Sequence, residues 1–202
     1  DLLMRLGLLF EQQLADQGQA LAVFRDVLAI RDSHQDSIDG LERLFAAGHA
    51  HIEIGELLEP VYLEQNDYVK LNGLLETLLP YTAEGPDRGA ALHRLAALNA
   101  NELNSPERAF DWYADALRNE PADDDARIEL VKLAESTGRW AEVASVFSGL
   151  LVADQDLELS RSFSLELAGI YRDRLNDQAS ARTVLETTVT QLDPSDVDAL
   201  KA

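Results

Sequence analysis

The sequence predicts an all-α chain built from antiparallel helix pairs stacked side by side, about eleven helices in all. Three observations predict it. Apolar residues recur at spacings of three and four throughout, as in Phe110, Tyr113, Ala114 and Leu117, the period of one helix face. Helix starts and stops are written out in capping and breaking residues, while the sustained β-branched alternation of strands is absent. Finally, the chain repeats itself in register.

The repeat is read most directly in the second half. Residues 92–118 lie over 164–190 at an offset of 72, with Leu95 on Leu167, Ala96 on Ala168, Leu103 on Leu175, Asn104 on Asn176 and Ala109 on Ala181. Upstream, 66–79 lie over 138–151 at the same offset, with Tyr68 on Trp140 and Leu75 on Phe147. A two-pair unit with that period thus covers 56–193.

The elements follow in order. Residues 3–28 match 92–117 at an offset of 89, placing Leu6 on Leu95, Ala20 on Ala109 and Phe24 on Tyr113. The excess of the second offset over the first is one helix, about 25 Å long at about 1.5 Å per residue. That extra helix is placed near 49–65, and Pro60 within it predicts a kink or a break. Gly18, Gly48, Gly85 and Gly138 mark chain reversals. Ser105-Pro106 opens a helix with a capping serine and a proline in the first turn. Pro121 closes that pair, and Asp123-Asp124-Asp125 opens the next helix, their charge complementing the helix dipole. Asp193-Pro194-Ser195-Asp196 reads as one more opening.

Each pair needs small residues where its backbones cross and a large one to fill the groove beside them. Gly7, Ala96 and Ala168 supply the first small site, and Ala20, Ala109 and Ala181 the second. Phe24, Tyr113 and Leu185 are the knobs. Phe110, Tyr113 and Leu117 are therefore read as packing residues, with Trp112 beside them partly exposed.

The spacing of these letters resembles the tetratricopeptide repeat (TPR) family. Ala109-x3-Tyr113-x2-Ala116-x4-Pro121 gives the second half of that family's pattern. Leu3-x2-Leu6-Gly7-x2-Phe10 and Ser164-x2-Leu167-Ala168-x2-Tyr171 give its first half. The departures are regular. The family's opening tryptophan is missing, and the two halves stand one position further apart than in the family pattern, in every unit alike: Gly7 to Ala20, Ala96 to Ala109, Ala168 to Ala181. The resemblance implies a right-handed α-solenoid, a TPR-like superhelix running through 1–202 as a single domain. It also implies a partner-binding face lined by the first helix of each pair. Mapped onto this chain, Gln12, His93, Asn101, Glu135 and Arg172 are the candidate partner-binding residues.

Composition narrows the function. The net charge is −20, with 17 basic against 37 acidic residues, which disfavours nucleic acid and anionic lipid. Arg25, Arg43 and Arg182 stand singly among acids and form no basic stripe. No stretch approaches the roughly 18 apolar residues of a membrane span. DLLMRLGLLF lacks the basic start of a signal peptide. There is no cysteine, so disulfides and thiolate chemistry are excluded. That suits cytosol and periplasm alike, with cytosol the expectation. The arginine-over-lysine bias points to a bacterial genome, and both ends read as cut from a longer repeat protein.

Catalytic and metal motifs do not emerge. Asp123-Asp124-Asp125 with Glu129 lacks the calcium-loop spacing, and His49 and His51 stand two apart on a helix, facing different ways. No nucleophile elbow, zinc helix or phosphate-cradling glycine loop occurs. The sequence is therefore read as a non-enzymatic scaffold without cofactor or metal, holding a protein or peptide of basic or amphipathic character. Its alternatives are an architectural spacer or self-associating segment, and more remotely a non-catalytic part of an enzyme.

Overall fold

The computed structural model describes residues 2–153 and 157–191. Among them are eleven α-helices: α1 Leu2–Gln12, α2 Gln17–Ile30, α3 Gln35–Ala46, α4 His51–Gln65, α5 Tyr68–Leu78, α6 Pro86–Asn101, α7 Pro106–Asn119, α8 Asp124–Thr137, α9 Trp140–Ala153, α10 Leu157–Asp173 and α11 Gln178–Gln191. One 3-10 turn, Leu79–Tyr81, follows α5. No strand occurs among the described residues. The helix opening at Asp193-Pro194 lies outside them. The chain divides into two compact units, Asp1–Thr82 and Ala83–Ala202.

The first unit is built around one ring. Phe24 of α2 is fully buried and sits between two glycines. A Cβ on Gly7 of α1 would stand 2.6 Å from its Cε1, and one on Gly40 of α3 would stand 2.6 Å from its Cε2. Glycine at both places lets three backbones close on a single large side chain. Ser37 of α3 donates to the Met4 sulfur at 3.0 Å on the same side of α1. α4 runs through Pro60 without a break, so the break that proline suggested does not occur. Its buried row of Ile54, Leu58, Val61 and Tyr62 holds it in place, which outweighs one missing backbone donor. Gly55 on that helix leaves room for Leu78, whose Cδ1 would be 2.7 Å from a Cβ there.

The second unit repeats this logic with alanines. Ala96 and Ala109 are fully buried, and Phe110, Tyr113 and Leu117 fill the space beside them. Ala168 and Ala181 are buried in the last pair, while the knob Leu185 is only half-buried. Trp112 is half-buried as well. Phe147 of α9 packs on Phe163 of α10 with ring centroids 5.0 Å apart. Ser105 occupies the position before α7 but makes no side-chain cap; its hydroxyl turns back to the Leu103 carbonyl. Asp123 does cap α8, accepting from the Ala126 amide at 2.9 Å.

Three loops share one geometry. Ala15, Asn104 and Asn176 all have left-handed backbone, with φ of 52°, 48° and 58°. The next amide in each case reaches back to the last turn of the preceding helix: Asp16 to the Phe10 carbonyl (2.9 Å), Ser105 to Asn99 (2.8 Å), Asp177 to Tyr171 (2.8 Å). Each bond spans six residues, one more than the Schellman stop, and gives a carbonyl in the last turn of the first helix a partner. The loops are separated by the same two offsets that align the sequence.

Candidate partner-binding surface

In the second unit, a groove of about 220 Å³ opens along α10 beside α8. Val131, Trp140 and Ile170 give it apolar walls, Glu166 and Asp173 give it charge, and Gly169 forms part of its floor. Trp140 is the first residue of α9, held against Arg174, whose guanidinium lies 4.6 Å from the indole. Arg174 is fixed from the other side by Glu135 of α8 at 2.8 Å. A stacked, paired arginine of this kind rigidifies the aromatic wall.

Gly169 is one of three mid-helix glycines, with Gly73 and Gly149, whose Cβ position meets nothing within 4 Å, and it lies in the groove. It sits inside a 17-residue helix, where glycine costs about 1 kcal/mol relative to alanine. Gly7, Gly40 and Gly55 return that cost through close packing, but a Cβ on Gly169 would meet nothing within 4 Å. The glycine holds open space.

Charge in the groove is set by burial. Glu166 accepts from Arg127 at 2.7 Å. Even so its carboxyl is pushed above the usual range, because burial disfavours the anion, Asp124 adds repulsion, and Arg127 only partly offsets them. Asp173 is held below the usual range by its hydrogen bond from Arg172.

The first unit holds a groove of similar design. About 240 Å³ is lined by Glu42 and Phe45 of α3, Tyr62 of α4, and Lys70, Gly73 and Leu74 of α5. Lys70 is paired with Glu42 at 2.6 Å and lies 5.7 Å from the Tyr62 ring. The Tyr62 hydroxyl donates to Glu42 at 3.1 Å; burial first, and then Glu42, raise its pKa. Gly73, in mid-helix, again has nothing within 4 Å of a would-be Cβ. Each groove thus combines an aromatic wall, a cation fixed by an acid, and an interior glycine facing open space.

The candidate residues from the sequence fall at different places. Glu135 stands at the rim of the second-unit groove through Arg174, and Arg172 through Asp173. His93 is drawn into a tie between α6 and the start of α8: Nε2 lies 2.5 Å from Asp123, and the ring packs edge-on against Tyr113. Asn101 and Gln12 are exposed at the ends of α6 and α1. Trp140 reads in the sequence only as the repeat equivalent of Tyr68, and the repeat alignment does not single out Gly169 or Ile170. The signal that could have found Gly169 is a glycine inside an otherwise unbroken helical pattern. His51 opens α4 and is bonded to the Tyr81 hydroxyl at 2.8 Å and the Phe45 carbonyl at 3.1 Å, while His49 is exposed. Among the described residues no three His, Asp or Glu side chains converge as a metal site, and no helix is long and apolar enough to cross a membrane.

Antiparallel pairs, matched small-and-large crossings and a recurring helix stop define a helical-repeat protein, TPR-like and divergent by its own motifs. No protein-family model and no curated protein matches the chain. Among the solved structures similar to it are three of low identity. YrrB, described as a TPR protein with an unusual peptide-binding site, is 16% identical; the match covers 98% of this chain and 89% of that one, with a TM-score of 0.37. Pseudomonas aeruginosa pilF is 18% identical over 100% of this chain and 95% of that one (TM-score 0.35). A thermophilic TPR protein of Thermus thermophilus is 18% identical over 98% and 94% (TM-score 0.31).

Proposed function

We propose that this chain is a non-catalytic interaction scaffold whose grooves hold a protein or peptide segment carrying a large apolar side chain next to a basic one. The observation that carries the reading is Gly169: a helix interior gives up about 1 kcal/mol to keep a groove floor open between an aromatic wall and two carboxylates. Gly73 in the first-unit groove supports it independently. The net charge of −20 favours a basic segment. The in-register match of residues 66–79 with 138–151 supports reading the sequence as one repeat series.

The test is selection of a random-peptide library on the wild-type chain and on Gly169→Leu. Leucine fits the open space and favours the helix, so it fills the groove without unfolding it. The expected peptides pair Lys or Arg with a large apolar residue, quench or shift the fluorescence of Trp140, weaken as salt rises, and lose at least tenfold in affinity on Gly169→Leu. Peptides that bind Gly169→Leu as well as wild type, or no selection above background, would overturn the reading.

The alternative, an architectural or self-associating segment, is favoured by a different observation, the exposed leucines of α1. Light scattering over a range of concentrations separates the two.

A further inference from the structure

The groove beside α10 carries a cation whose contacts leave one side of it unused. Arg174 stands just after α10, in the loop to α11. A guanidinium is a flat group, with donors along its edge and two faces that stack on aromatic rings. The edge is taken by Glu135 of α8, whose two carboxylate oxygens lie 3.1 Å from Nη1 and 2.8 Å from Nη2. One face lies against Trp140, 4.6 Å from the ring centroid. Yet the side chain stays 45% exposed, and it lines the groove together with Trp140, Gly169 and Ile170. With the edge and one face occupied, the exposed part is the second face.

Taking the groove as the binding site proposed above, we infer that Arg174 selects an aromatic anchor. The apolar residue of the bound segment is Phe, Tyr or Trp, stacked on the free face so that the guanidinium lies between two rings. The negative face of an aromatic ring complements a cation, and an aliphatic side chain has no such face. Arg174 keeps both its Glu135 bridge and its Trp140 contact when the third group arrives, so no strut is broken. It is also held in place beforehand, which lowers the ordering cost of binding. The open floor at Gly169, with nothing within 4 Å of a would-be Cβ, leaves room beside it.

The first-unit groove supplies the contrast. Its cation is Lys70, paired with Glu42 and 5.7 Å from the Tyr62 ring. An ammonium is a compact point charge with no flat face to stack on. A strong preference for aromatic over aliphatic side chains therefore belongs to the second-unit groove.

The test compares two peptides, acetyl-Ala-Arg-Phe-Ala-amide and the same peptide with cyclohexylalanine in place of Phe. Each is titrated into the full chain and followed at the Trp140 indole signal by NMR. The saturated ring keeps the size and is no less hydrophobic, so a groove that reads apolar area alone binds it at least as well. Stacking on Arg174 gives the reverse order, with the Phe peptide tighter by about threefold or more. Arg174→Lys keeps the charge and removes the flat face, so it should shrink that preference. Equal affinities on the wild-type chain, tighter binding of the cyclohexylalanine peptide, or a preference for Phe undiminished by Arg174→Lys would overturn the inference and leave the groove itself standing as a binding site. If neither peptide moves the Trp140 signal up to about 1 mM, the weak end of specific binding, the groove and its aromatic anchor are refuted together.

Discussion

Gly7→Ala tests the packing at the centre of the first unit. A Cβ at position 7 would stand 2.6 Å from Phe24 Cε1, 3.1 Å from Cδ1 and 3.2 Å from Val23 Cγ1. Carbon atoms prefer about 3.5–4.0 Å, so the ring must move by roughly 1 Å. It has nowhere to go, because its other edge is already within 2.6 Å of the Cβ position on Gly40. Overpacking of this kind costs about 1–3 kcal/mol. Replacing glycine by alanine within a helix returns about 1 kcal/mol. The net expectation is a loss of about 0–2 kcal/mol. Gly149→Ala is the matched control: it lies in the middle of α9 with nothing within 4 Å, so it should gain about 1 kcal/mol. The difference between the two variants isolates the packing cost. Urea unfolding followed by far-UV circular dichroism reads both. Phe24→Leu in the Gly7→Ala background should recover part of the loss, because the shorter side chain frees the space. If Gly7→Ala stabilises the protein as much as Gly149→Ala does, the ring is not clamped and the account of this core is wrong.

Ala15 holds a left-handed backbone, with φ of 52°, where its equivalents are Asn104 and Asn176; Ala15→Gly should raise stability by about 1 kcal/mol by removing the Cβ penalty, measured by the same unfolding. Ala109 is fully buried at the α6–α7 crossing, so Ala109→Leu should cost about 1–3 kcal/mol, and an unchanged melting temperature would place the crossing elsewhere. Glu166 has a raised folded pKa, so it binds protons more readily folded than unfolded. Its contribution to stability is full below its ordinary pKa and is lost as pH rises through the folded value. Glu166→Gln should therefore gain relative to wild type as pH rises from the ordinary carboxylate range towards neutrality, and a constant difference across that range would contradict the burial of this carboxylate.

The helix pairs were legible because their determinants are local. A small residue at 7, 96 and 168 and another at 20, 109 and 181 mark backbone crossings by size alone, and Asp123 announces its helix by capping chemistry. Gly40 was not legible as the second jaw on Phe24, since its partner lies in another helix and no spacing rule joins them. The same is true of His93, which reads as a free histidine on a helix surface until folding brings Asp123 to it. The grooves were hidden for a related reason. Trp140 aligns with Tyr68 as a repeat position, and nothing in that alignment says that Arg174, beyond the far end of α10, will stack on it.

The acidic charge acquires a meaning once the cations are located. Arg43, Lys70, Arg127, Arg139 and Arg174 are each held by an acid from another helix: Glu11, Glu42, Glu166, Asp111 and Glu135. Four of them also lie on rings, Arg139 at 4.0 Å from Phe110, Arg174 at 4.6 Å from Trp140, Lys70 at 5.7 Å from Tyr62 and Arg127 at 6.0 Å from Phe163. These cations act as struts between helices. They are therefore poor recruits for an anionic ligand, since each would have to leave an acid and several a ring. The acids exceed the basic residues by 20 charges, and that excess is the part of the electrostatics left for a partner. A basic segment would gain from that excess at longer range, since the groove acids Glu42, Glu166 and Asp173 are already paired with Lys70, Arg127 and Arg172. An acidic one would have to break Arg174 from Glu135, or Lys70 from Glu42, to find a counter-charge. The electrostatics thus select the sign of the ligand through the internal employment of the cations as much as through the number of acids.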